Sequence, residues 1–154
     1  MSSEAFNLLT FIIALLALLT AVGSLIVATM SHLYTGARVK VTSGHGYIPP
    51  DFDDGLITIE ARNLGRASVV ITGYGLEIRD GQGGTIPGYL NPLPVSPPVP
   101  MTLHGGHTQT WYLRETGMVE TLRSSGRRGA VPIAPFVTLG TGKAVYAKPR
   151  TLEV

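Results

Sequence analysis

The chain contains no cysteine, and no charged residue occurs between Glu4 and Arg38. The lack of cysteine excludes a disulfide framework and so gives no indication of an oxidising compartment. Glycosylation acceptors of the form Asn-x-Ser/Thr are also absent. The long uncharged interval, in contrast, is typical of a segment that lies in a membrane.

Strong positive charge is lacking as well. Residues 36–154 carry all 12 Lys and Arg and 9 of the 10 acidic residues, which gives a formal charge of +3. A nucleic-acid-binding domain shows a concentrated basic face, and this balance does not provide one. The sequence also lacks a Gly-x-Ser-x-Gly elbow and any recognisable arrangement of nucleophile and base. We therefore expect no nucleic-acid partner, no cofactor and no enzymatic activity.

The uncharged interval predicts a membrane anchor. Residues 6–30 form a helix of about 37 Å at 1.5 Å per residue, enough to cross a hydrocarbon core of about 30 Å. A secretory signal peptide is the alternative, but it needs a basic start and a shorter apolar run. Because this chain begins Met-Ser-Ser-Glu, we predict an uncleaved single-pass transmembrane helix with a short N-terminus over residues 1–35.

Small or polar residues recur along one stripe of this helix, at alternating intervals of three and four. Helices in lipid associate through close packing and shared hydrogen bonds, so the stripe predicts a face that meets another helix, with a left-handed crossing. The partner is a second copy or a different protein, and chance regularity is the alternative. The predicted helix-packing interface consists of Asn7, Thr10, Ala14, Ala17, Ala21, Ser24, Ala28 and Ser31.

Arg38 and Lys40 follow the helix closely and suggest an orientation. Basic residues prefer the cytoplasmic side, which places the C-terminal domain inside, with an extracytoplasmic domain as the alternative. Anionic lipid headgroups are the natural partners of these two cations at the membrane surface.

Residues 36–154 predict one antiparallel β domain. Ile57, Ile59 and Ala61 alternate with polar residues, and so do Val70, Tyr74, Leu76 and Ile78. Residues 63–66 predict a hairpin between these two strands, and Gly140–Lys143 a turn between the last pair. The strands are predicted at 37–42, 56–63, 68–80, 101–103, 108–113, 133–139 and 144–148, which favours an immunoglobulin-like β-sandwich.

Three further features complete the predicted domain. Met118, Val119 and Leu122 fall at helical spacing within 115–124, and Gly126 provides a stop. Trp111, the single Trp, is expected in the core or at its edge. Residues 87–100 hold six of the eleven prolines and predict an extended surface loop that crosses between the sheets. The alternative for this segment is a docking strip for a partner with an aromatic groove.

The candidate ligand sites in the sequence are weak. His104 and His107 flank two glycines and could supply two ligands of a metal site, with the others from His45 or carboxylates, but a polar turn is the favoured interpretation. The acidic residues at 51–54 fail as a calcium loop because its twelfth position is Arg62. The Gly-Thr-Gly-Lys sequence at 140–143 lacks the remainder of a phosphate loop. Arg123, Arg127 and Arg128 are interpreted as solvated, with lipid phosphates as the alternative.

Three stretches carry a resemblance: ITIEARNLGRASVVITGYGLEI at 57–78, LHGGHTQTWYL at 103–113 and FVTLGTGKAV at 136–145. They resemble segments of a group of short, uncharacterised actinobacterial proteins that have an N-terminal apolar helix and a small β domain. The resemblance implies the same two-part architecture and an actinobacterial or actinophage source. No activity is established for that group, so it implies nothing about chemistry.

These observations predict a membrane-anchored interaction protein, an accessory or adaptor subunit whose β domain binds a protein partner. The alternatives are a self-assembling structural protein of the membrane and a phage-type lysis or immunity protein.

Overall fold

The computed structural model describes residues 3–48, 52–88 and 92–154, and the chain divides into two compact units at Gly36. The first unit is one helix, α1 (Ser3–Thr35). Within it, Asn7–Ser31 is long and apolar enough to cross a membrane, as the sequence predicts. A signal sequence meets the same criteria of length and composition.

The second unit is built from two antiparallel sheets and a short helix. One sheet has the order β1-β2-β6. In the other, β3 lies between β7 on one edge and β4 and β5 on the opposite edge, while β8 and β9 continue from β7. The elements are β1 (Val39–Ile48), β2 (Phe52–Asn63), β3 (Val69–Ile78), β4 (Thr85–Pro87), β5 (Met101–Leu103), β6 (Thr108–Arg114), α2 (Glu115–Ser124), β7 (Ala130–Leu139), β8 (Ala144–Tyr146) and β9 (Arg150–Glu153).

The predicted mainly β class with an N-terminal apolar helix and a second short helix is confirmed. Ile57, Ile59 and Ala61 are fully buried and share one core with the other sheet. Trp111 is fully buried as well. In α2, Met118 and Leu122 form the buried face, because residues four apart lie on the same side of a helix.

The predicted hairpin at 63–66 is wrong, because β2 and β3 belong to different sheets. Asn63 is fully buried at this crossing. Its side-chain oxygen accepts hydrogen bonds from the backbone N–H groups of Arg38 and Gly65, and its amide nitrogen donates to the carbonyls of Ala67 and Leu103. The connection therefore carries the chain from one sheet to the other around a single buried amide.

Val70 was expected in the core but is 42% exposed, while Ile71 is buried. The pairing of β3 with β7 shifts register between Ile71 and Gly73, and this bulge reverses the alternation at the start of β3. Tyr74, Leu76 and Ile78 face the core as predicted.

Strand β7 begins three residues before its predicted start and contains two prolines at positions where the ladder tolerates them. Pro132 lies just beyond the last pair with β3, Ile78 with Ile133. Pro135 faces an irregular stretch, where Ala134 and Pro135 lie opposite the three residues 147–149. A proline donates no N–H to a ladder, and the extra residue of a bulge removes the need for one. This bulge separates β8 from β9, which replaces the single predicted strand at 144–148.

Candidate functional sites

The predicted stripe lies along α1, which is helical throughout 3–35. In the second half of the helix, small side chains leave a shallow groove lined by Thr20, Gly23, Ser24, Val27, Ala28 and Ser31. Three of these belong to the predicted stripe, whereas Thr20 and Gly23 were missed. In a straight helix a seven-residue pattern drifts by about 20° per heptad, so small residues beside the stripe become part of the same face.

The hydroxyl groups of the helix are partly occupied within it. Thr20 donates to the carbonyls of Leu16 and Ala17, and Thr29 donates to that of Leu25. Such bonds to the preceding turn satisfy a hydroxyl in an apolar environment. Close backbone approach at Gly23, Ser24 and Ala28 is therefore the main property that this face offers to a second helix.

The proline-rich segment leaves and rejoins the same sheet, since β4 and β5 both pair with β3. The predicted crossing between sheets is therefore wrong for its backbone, although residues 89–91 lie outside the described part of the chain. Its side chains do reach the other sheet. Ser96 Oγ accepts from the N–H of Tyr112 at 2.9 Å and donates to its carbonyl at 3.1 Å, and Trp111 Nε1 donates to Pro97 O at 3.1 Å.

Beneath this segment lies a cavity of about 380 Å³ with Tyr74 among its lining residues. The Tyr74 ring stacks on Trp111 with 5.4 Å between the ring centroids. Burial raises the pKa of Tyr74, and a hydrogen bond with Ser96 offsets part of that rise. The described segment thus covers the aromatic end of the core, with Leu93 buried in it.

The rings of His104 and His107 lie edge to face, with centroids 5.8 Å apart. His104 Nδ1 is 3.0 Å from Ser68 Oγ, and the N–H of His107 donates to His104 O, as in a turn. A Cβ on Gly105 would lie 2.5 Å from Arg66 O, so glycine is needed where this loop packs on the sheet crossing. Among the described residues, no group of three His, Asp, Glu or Cys side chains is placed to hold a metal ion. The side chains of the acidic residues at 51–54 lie outside the described part of the structure, and so does their interpretation as a calcium loop.

Arg38 and Lys40 lie at the start of the β domain, and both residues are exposed. Lys40 is directly opposite Arg62 in the pairing of β1 with β2, and Arg62 is also exposed. Like charges at opposite positions of an antiparallel pair repel. Arg62 could not be paired with Lys40 from the sequence, because the two lie 22 positions apart and strand register alone brings them together.

The arginines of the predicted basic cluster, Arg123, Arg127 and Arg128, differ in their contacts. Arg127 forms an ion pair with Asp80 and also donates to Gly83 O and Ser125 Oγ. The hydrogen bond from Arg127 is the main cause that lowers the pKa of Asp80. Arg127 therefore holds the turn after β3 against the loop after α2, while Arg123 and Arg128 remain exposed.

Comparisons with known proteins assign this chain to no family. No family model matches the chain, and no curated protein matches it. Among solved structures, a Bordetella pertussis protein designated ApaA is 14% identical with a TM-score of 0.42; the match covers 78% of this chain and 96% of that one. An Archaeoglobus fulgidus protein is 18% identical with a TM-score of 0.35, over 77% and 96% of the two chains. The class defined by the described residues is a two-sheet antiparallel β domain preceded by an apolar helix of membrane-spanning length.

Proposed function

We propose that this chain is a single-pass membrane protein in which α1 anchors an interaction domain and packs against another transmembrane helix. The observation that carries the proposal is the combination of an uncharged 25-residue span with a groove of small residues along it. Large apolar side chains such as Leu18, Leu25 and Val27 are more than 60% exposed, and lipid is the solvent that suits such a surface.

The β domain is the binding part of the proposed adaptor, and its fold is immunoglobulin-like in this proposal. Its described exposed surface is mostly polar, with large apolar side chains such as Leu64, Val70 and Val95 standing out. The domain lies on the cytoplasmic side in this proposal, because Arg38 and Lys40 follow the helix. Anionic headgroups then bind the basic residues at its start, with Arg62 added to the predicted pair.

The helix interface is tested with the variant Ala17→Leu/Ala21→Leu in the full-length chain. Leucine side chains on the small face keep two backbones apart, so we expect association in a bilayer to fall at least tenfold. The matched control is Leu19→Phe/Ile26→Phe, which adds bulk to the opposite side of α1. Association is measured by crosslinking in membranes, with mass spectrometry of the crosslinked species.

A homo-oligomer lost in the first variant makes the protein a self-assembling membrane scaffold, and a distinct protein lost in it makes the chain an accessory subunit. Equal association in wild type and both variants contradicts the helix interface. Intact mass of the membrane-bound protein tests the anchor in the same preparation, because removal of residues 1–35 would identify α1 as a signal sequence.

A further inference from the structure

The side of the β domain where β1 faces β9 contains a cleft of about 370 Å³. The Pro135 bulge positions it, because the extra residue in 147–149 lies between β8 and β9 and redirects the chain there. Bulges commonly re-aim side chains in this way. The cleft is lined by Ser43, Gly44, His45, Lys148, Pro149, Arg150 and Thr151.

The lining of this cleft is positively charged. Lys148 and Arg150 contribute two cations, and none of the seven lining residues is acidic. The carboxylate of Glu115 lies 3.4 Å from His45 Nδ1 and is not part of the lining. An anion is therefore favoured on the side of Lys148 and Arg150, away from Glu115.

Arg150 contacts Gly44 and His45 and keeps N–H donors for a further ligand. Its Nη1 donates to Gly44 O at 3.2 Å, and its Nη2 contacts the ring nitrogens of His45. A guanidinium has five N–H donors in a fixed fork, so these contacts leave part of the fork for another ligand. They also fix the guanidinium in place, which reduces the entropy lost when a ligand binds.

Ser43 supplies a second, independent observation. Its Oγ is buried and has no hydrogen-bond partner among the described residues. A buried hydroxyl without a partner is destabilising, and such groups are rare in native proteins unless water or an ion completes them. In this domain the unpartnered hydroxyl belongs to a residue of the cationic cleft.

We propose that this cleft binds an oxyanion of the phosphate type, with Lys148 and Arg150 as its cations and Ser43 as a hydroxyl donor. Arginine matches the planar pairs of oxygens that phosphate presents, and lysine adds a point charge. The cleft, at about 370 Å³, has room for a phosphate group and the group that carries it.

The test is a titration of the full chain, in non-ionic detergent, with inorganic phosphate at constant ionic strength. Calorimetry is expected to show saturable binding, and Lys148→Gln is expected to weaken it about tenfold, as for a lost charge-assisted hydrogen bond. The matched control Lys143→Gln removes the same charge from the exposed turn at 140–143 and leaves binding unchanged. Equal affinity in the two variants, or no saturable binding in the wild type, overturns the proposal.

Ser43→Ala separates a ligand role from a structural one. Removing an unpartnered hydroxyl is expected to leave the melting temperature of the phosphate-free protein unchanged or higher, while phosphate affinity falls severalfold. If affinity is unchanged in this variant, Ser43 has no part in the site.

The source of the phosphate is found by repeating the titration in nanodiscs of phosphatidylcholine with and without phosphatidic acid. A headgroup in the cleft competes, so phosphatidic acid raises the apparent dissociation constant for inorganic phosphate in the wild type but not in Lys148→Gln. Equal constants in both nanodiscs assign the cleft to free phosphate. Both results support the anion site, and neither depends on helix association.

Discussion

Asn63 shows how much one buried polar side chain contributes to this fold. All four of its hydrogen bonds go to backbone groups, and these groups belong to Arg38 just before β1, the crossing at 64–67 and the end of β5. Buried amides of this kind are costly to remove because every partner is left unpaired.

Replacing Asn63 with Ala is expected to lower the free energy of unfolding by about 3 kcal/mol, from the loss of several backbone partners at once. The measurement is denaturant unfolding of the full chain followed by Trp111 fluorescence. Gln82→Ala, at an exposed amide in the turn after β3, is the control and should change stability by less than about 0.5 kcal/mol. Equal effects of the two substitutions would contradict the role assigned to Asn63.

The residues of the core were the most predictable part of the sequence. Ile57, Ile59 and Ala61 follow a period of two, which local geometry alone imposes on a half-buried strand. The exposure of Val70 was not predictable, because the bulge at Ile71–Gly73 comes from pairing with β7, more than 60 residues away. The partners of Asn63 were equally hidden, since they are distributed from Arg38 to Leu103.

At the scale of elements, the proline-rich segment acts on strand β6. This strand is the edge of its sheet, and Ser96 binds both backbone groups of Tyr112 that face away from β2. Natural sheets protect their edges by covering them with loops, and this segment does so with a hydroxyl in place of a neighbouring strand.

Replacing Ser96 with Ala is expected to increase amide exchange of β6 about tenfold, because the N–H of Tyr112 loses its acceptor. Hydrogen exchange with mass spectrometry over Thr108–Arg114 measures the effect. Ser124→Ala removes a serine hydroxyl that bonds within α2 and serves as the control. Unchanged exchange in β6 would mean that the segment does not protect this edge.

Two short elements at the sheet edges, β4 and β9, were not predicted as separate strands from the sequence. β4 has three residues and β9 has four, too few for a periodic pattern to be recognised. The predicted hairpin between β2 and β3 failed for another reason. The same turn residues occur in hairpins and in connections that cross from one sheet to another. The anion cleft was hidden because register and a bulge, not sequence proximity, bring Ser43 to Arg150.

At the scale of the whole molecule, the proposed contact of Arg38, Lys40 and Arg62 with anionic lipid can be tested. Each Lys or Arg near an anionic surface contributes about 1 kcal/mol of attraction at physiological salt. The chain has a single Trp, buried in the β domain, which serves as an internal probe.

Energy transfer from Trp111 to a dansyl lipid in nanodiscs is expected to rise when phosphatidylserine replaces part of the phosphatidylcholine. Lys40→Gln/Arg62→Gln should remove most of this rise, and added salt should do the same in the wild type. Arg123→Gln/Arg128→Gln deletes the same charge elsewhere and is the control. A rise that persists in the Lys40/Arg62 variant would place the lipid contact at other residues.

The covered edge of β6 becomes important when many copies of the chain are confined to one bilayer. Copies of a chain held in a bilayer share a thin layer, where their effective concentration far exceeds that of the same number in solution. Open strand edges under such conditions invite growth of continuous sheets from one copy to the next. With Ser96 on Tyr112 and Arg150 on Gly44, backbone groups on both edges of the three-stranded sheet are already engaged. In the proposed membrane protein, lateral association is thereby left to contacts between the helices.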